Sequence, residues 1–146
     1  MAAASLSNAG ALWANGAMLV VTTPVTGTGH DRIGAASTLE FGGSVVTGEV
    51  ASFLSNNGTL LLDGAASYHG TIAGFTRGNV IDLGDFSFAG NPTIALVSFV
   101  GSDTLVSVND GAQSVTVDLF GASHSNNYIL GSDHRGANPG TLLAIA

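Results

Sequence analysis

The chain contains no cysteine and no lysine, and its only cationic side chains besides histidine are Arg32, Arg77 and Arg135. The first absence removes disulfides, thiolate nucleophiles and cysteine metal sites. The second is set against ten carboxylates and a formal net charge of −7. Nucleic-acid binding draws its affinity from neutralising phosphates with Lys and Arg, and anionic membrane surfaces attract basic segments in the same way. Three scattered arginines serve neither purpose, so nucleic acid is excluded as a partner. Charged residues of both signs make up only 9% of the chain, against about 25% in ordinary soluble domains.

Long apolar runs are also lacking, although 45% of the residues are hydrophobic. GAMLVV at 16–21 is far shorter than the roughly 20 residues of a spanning helix, so no membrane insertion is expected. The opening MAAASLSNAG has no basic residue ahead of an apolar run and does not read as a signal peptide. MAAAS reads instead as a start placed on a fragment of a longer protein.

Helical periodicity is missing too. Twenty-one glycines, with many Ser, Thr and Asn, interrupt every window in which apolar residues recur three and four apart, and each glycine costs a helix about 1 kcal/mol relative to alanine. What the chain has is a series of short β-type runs: ALW (11–13), AMLVVT (17–22), STLEF (37–41), VASFL (50–54), TLLLD (59–63) and NVIDL (79–83). TIALVSFV (93–100), DTLVSVN (103–109), QSVTVDLF (113–120), NYIL (127–130) and TLLAI (141–145) follow. Between them lie NAG, TGTG, FGG, NNG, NDG, GSD and NPG, residues that supply positive φ or Asx turns.

Up to residue 83 the runs recur every 8 to 20 residues, the rhythm of stacked coils with one short strand per side. Such coils bury Leu, Val, Ile and Phe in aligned rows. The predicted inward row runs through Leu39, Phe41, Leu60, Leu62, Ile72, Phe75, Ile81 and Leu83. The later half alternates apolar and polar residues, and Asp110-Gly111 within NDGAQ is a hairpin signal. The expected fold is therefore all-β: one domain over 1–146, a right-handed parallel β-solenoid with a more antiparallel C-terminal part. A β-sandwich or jelly roll is the alternative.

Several stretches resemble the repeat modules of bacterial autotransporter passengers and large repetitive surface adhesins. Val25, Gly27, Gly29 and then Thr38, Leu39, Glu40, Phe41 and Gly42 stand where those repeats carry V-x-G-x-G and G-x-L-E-F-G. Tyr68, Gly70, Ile72, Gly74, Phe75, Gly78, Ile81, Asp82 and Leu83 match an aromatic–G-x-I-x-G-F element followed by G-D-x-I-D-L, with Asn79 where the aspartate is usual. The tail GSDHRGANPGTLLAI is similar to an S-S-D-G-x-G-G-T-L ending, with His134 in place of a glycine. The resemblance implies a scaffold module of a secreted or surface-displayed bacterial protein, without an activity of its own and without an obligate cofactor.

The candidate chemistry is sparse. Gly70, Gly74 and Gly78 form neither a P-loop nor a dinucleotide loop. Asp82 and Asp85 are candidate calcium ligands, since calcium favours oxygen donors. His30-Asp31-Arg32 and Asp133-His134-Arg135 form two polar triplets read as glycine-rich turns. If turns align, His124, Asp133 and His134 could assemble a transition-metal centre that activates water, as in a small metal-dependent hydrolase. A Ser123–His124–Asp133 arrangement lacks the G-x-S-x-G elbow. A carbohydrate-binding module would use Trp13, Tyr68, Tyr128 and Asn127, with surface glycans as partners. Solenoid ends and edge strands leave unpaired backbone groups, so self-association is expected as well.

Overall fold

The computed structural model describes residues 4–121 and 127–146. Four coils stack in parallel; each contributes one strand to each of two faces, and the first two also contribute a strand to a third. The first coil consists of β1 (Leu6–Asn8), β2 (Trp13–Ala14) and β3 (Met18–Val21). The second consists of β4 (Val25–Gly27), β5 (His30–Ile33) and β6 (Thr38–Phe41). The third and fourth contribute β7 (Val50–Phe53) with β8 (Thr59–Leu62), and β9 (Thr71–Ala73) with β10 (Val80–Leu83). On the third face these later coils are joined only by single bridges, from Val25 to Val45 and from Val45 to Tyr68.

The sequence repeats because the corner between two faces repeats. Gly16, Ala36, Asn57 and Gly78 each stand two residues ahead of a rung, and all have positive φ (74°, 51°, 63° and 95°). A left-handed residue there turns the chain sharply into the next strand; glycine adopts it freely and asparagine tolerates it. The residue that follows then ties its coil to the one before. Ser37 Oγ accepts a hydrogen bond from Gly16 N at 2.7 Å, and Asn79 Oδ1 accepts one from Gly58 N at 3.0 Å.

Register fixes the core. Leu19, Leu39, Leu60 and Ile81 lie in one row, and Val21, Phe41, Leu62 and Leu83 in the next. From the second coil on, every member of both rows is buried, as are Ile72 and Phe75. All eight residues expected to form the inward row are thus core residues. Gly74 is required for close approach: its φ is 69°, and a Cβ there would collide with the Phe53 carbonyl oxygen.

Beyond residue 90 the direction of pairing changes. β11 (Thr93–Val100), β12 (Asp103–Asn109) and β13 (Ser114–Phe120) form an antiparallel meander, and β13 pairs in parallel with β9. The turn between β12 and β13 is the predicted Asp110-Gly111 hairpin; Asp110 Oδ1 accepts from the Ala112 and Gln113 amides at 2.9 Å. β14 (Tyr128–Ser132) and β15 (Thr141–Ile145) form a second antiparallel pair, laid against β10. These pairs close the C-terminal end, giving a seven-stranded and a six-stranded sheet over one core.

Candidate functional site

Two clusters of polar side chains and one open groove are the places where chemistry is concentrated. The first cluster lies inside the solenoid. His30-Asp31-Arg32 is strand β5 rather than a turn, and alternation sends Asp31 inward while His30 and Arg32 face out. Asp31 Oδ1 accepts from the Asn8 side-chain amide at 2.8 Å and from Leu12 N at 3.0 Å. Glu49, equally buried, accepts from Asn8 Nδ2 and from Gly29 N, both at 3.0 Å. Burial raises the Asp31 carboxyl above its usual range, and the neighbouring Glu49 adds to this against the Leu12 and Asn8 hydrogen bonds. Burial, with Asp31 and Glu49 nearby, pushes the Tyr68 phenol up as well. The arrangement fastens backbone amides across three coils, while Asp31 Oδ2 and the Tyr68 hydroxyl are buried without a hydrogen-bond partner among the described residues.

The second cluster is on the outer face of β10 and under the loop before β15. Asp82 is 2% exposed, with the Arg135 Nε 3.9 Å from its Oδ2 and its Oδ1 without a hydrogen-bond partner among the described residues. Burial, with Asp133 and Asp63 nearby, pushes its carboxyl up to about 6 despite Arg135. Burial and Asp63 likewise raise Glu40. Asp133 Oδ1 accepts from Arg135 N at 2.8 Å, and His134 is an exposed left-handed residue whose amide donates to Ser132 Oγ at 3.0 Å. Asp133 is thereby set beside Asp82 in the fold.

The candidate calcium ligands Asp82 and Asp85 have separate partners: Asp82 faces Arg135, and Asp85 bonds a backbone amide. Asp85 lies past the end of β10, where its Oδ1 accepts from Ala65 N at 3.0 Å and ties the fourth coil to the third. Asn79, the departure from the expected aspartate, is equally structural: besides holding Gly58 N, its Nδ2 donates to Thr76 Oγ1 at 3.2 Å. Among the described residues, no group of three or more His, Asp or Glu has the geometry to hold a metal ion. Ser123 and His124 lie outside the described residues, so of the candidate hydrolase centre the structure describes only Asp133 and His134.

The candidate carbohydrate ligands separate by burial. Tyr68 and Tyr128 are core residues, 5% and 6% exposed, and Tyr68 packs against Phe41 at 6.0 Å between ring centroids. Neither ring is open to a ligand. Asn127 is exposed, and so is Trp13, at 53%. Trp13 stands on the outer face of the seven-stranded sheet; farther along that face a groove of about 450 Å³ opens between His30, Ser52, Thr71, Ala73, Asp103 and Phe120. Sequence reasoning missed this groove because its walls come from strands about twenty residues apart; the signal was the repeat itself.

Comparison of the chain with known protein families, curated proteins and solved structures finds no match.

Proposed function

We propose that this chain is a structural module of a bacterial surface or secreted protein, of the adhesin or autotransporter-passenger type. The observation that supports the reading is the use made of the polar side chains. Ser37, Asn79, Asp31, Glu49 and Asp85 each accept from a backbone amide of a preceding coil. Side chains that in an enzyme would face a substrate here hold one coil to the next. The N-terminal coil supports self-association as part of the same role: no described strand lies beyond β1, β2 or β3 on that side.

Two measurements test the reading together. Antibodies to the module should label intact cells of the organism that makes it. The purified chain should show no turnover of chromogenic ester, phosphate and glycoside substrates that is lost in a His134→Ala variant. Labelling only after permeabilisation, or turnover that disappears with His134, would overturn it.

A further inference from the structure

We propose that the outer face of the seven-stranded sheet is a binding trough for a neutral, linear saccharide, which goes beyond a scaffold role. Strand register aligns Trp13, Arg32, Ser52, Ala73 and Phe120 in one outward row along the solenoid axis. From β2 to β13 there are four strand-to-strand steps, which at about 4.8 Å each put the two aromatic positions roughly 19 Å apart. Both rings are 53% exposed. Between them, past Arg32, the row drops to the small side chains of Ser52 and Ala73, and this is where the groove opens. Phe120 therefore stands in the wall of this groove, above the small residues Ser52 and Ala73, and Trp13 lies outside its lining, beyond Arg32 at the other end of the same row.

The lining selects the ligand class. Exposed aromatic rings offer apolar faces against which the C–H face of a sugar ring packs, and tryptophan adds an N–H donor. Ser52, Thr71 and Asp103 supply hydroxyl and carboxylate groups to the groove, which suit a ligand made of hydroxyls. A purely apolar ligand would bury these groups unpaired and lose affinity. A polyanion would meet Asp103 in the lining and Asp118 in the adjoining row, against the His30 imidazole of the lining and the Arg32 guanidinium beside it, on a chain of net charge −7. An extended peptide binds by adding to an open sheet edge, whereas the floor here is the face of a sheet whose β5, β7 and β9 are paired on both sides. A neutral chain of hydroxyl-bearing rings meets none of these objections.

Trp13 is the only tryptophan, so its fluorescence reports directly on one end of the trough. The test is affinity electrophoresis and fluorescence titration of the purified chain with soluble β-glucan, xylan, galactomannan and dextran, with polygalacturonate and heparin as anionic controls. At least one neutral polysaccharide should retard the protein and shift the Trp13 emission. Phe120→Ala and Trp13→Ala should each weaken retardation by about tenfold, within the range of an aromatic contact. Ala73→Phe, which fills the floor from an outward position, should abolish it. Unchanged unfolding midpoints in all three variants would exclude a folding defect. No retardation by any neutral polymer, equal retardation of the variants and the parent, or retardation by the anionic polymers alone would each overturn the proposal.

Discussion

Replacing Asp82 with asparagine isolates the electrostatics of the outer cluster. The carboxyl stands on β10 between Leu61 and Leu142 of the flanking strands, 2% exposed, and Arg135 is the sole cation that offsets its burial and the carboxylates of Asp133 and Asp63. Folding moves its pKa from 3.8 to about 6. Two units at 1.36 kcal/mol each amount to about 3 kcal/mol. The sign follows from proton counting: between pH 4 and 6 the folded protein keeps a proton that the unfolded chain has released. Stability from this group is therefore complete below about pH 4 and is lost as pH rises through 6. Burial also raises Asp31, Glu40 and Asp118, which act in the same direction.

Urea denaturation at pH 4, 5, 6 and 7.5 measures the effect. Asp82→Asn should match the parent at pH 4 and exceed it by up to about 3 kcal/mol at pH 7.5, which in a thermal melt is a rise of roughly 6–12 °C for a domain of this size. Arg135→Gln should widen the parent's own fall between pH 4 and 7.5, because it removes the one opposing charge. If Asp82→Asn is no more stable at pH 7.5, or is stabilised equally at every pH, the carboxylate is not held in a desolvated, like-charged setting and the reasoning fails.

Three further outcomes are expected. Leu60→Ala, in the middle of a buried row, should cost about 2–5 kcal/mol by denaturant unfolding; a loss under about 1 kcal/mol would mean that the coils are not packed on it. Asn79→Ala should cost about 1–3 kcal/mol by leaving the Gly58 amide unpaired in a buried setting, and Asn79→Asp should recover part of that by restoring an acceptor. Sedimentation at rising concentration should reveal a weak dimer, and a Met18→Glu/Val20→Glu double variant, altered only at exposed positions, should remain monomeric. A parent that stays monomeric at millimolar concentration would refute the self-association.

Much of the fold was legible because strand and turn residues alternate without ambiguity. TIALVSFV, DTLVSVN and TLLAI coincide with β11, β12 and β15, and the expected inward row is the core. The parts that were hidden are those where local composition contradicts tertiary placement. HDRI carries three ionisable residues and sits among glycines, so it reads as a turn; pairing with β2 and β7 on either side makes it a strand and sends Asp31 inward. Ala36 hides a left-handed corner because alanine is not a turn residue, and only its alignment with Gly16, Asn57 and Gly78 exposes it. Tyr68 and Tyr128 look amphipathic in sequence, yet the fold buries both rings in the core. The outer cluster was invisible for another reason: Asp63, Asp82 and Asp133 are brought together only once β15 folds back beside β10.

The two ends of the solenoid are chemically unlike, and this sets how copies can meet. At the C-terminal end the stack stops because β13 and β15 accept a parallel rung on one side and then pair antiparallel, or pair antiparallel outright, so no further coil can be templated in register. At the other end no described strand pairs with the outer side of β1, β2 or β3, and no charged side chain occurs from Ala4 to Gly29. In a chain of net charge −7, that neutral end is where two like copies repel least. A contact of one open end with another is self-complementary and closes at two copies, whereas open-to-capped stacking would propagate into fibres. A coil of about 20 residues at about 3.3 Å per residue encloses only some 200–350 Å², well under the roughly 800 Å² per partner of a stable interface. The dimer should therefore be weak and finite. Capping one end of a solenoid is enough to turn an aggregation-prone edge into a limited contact.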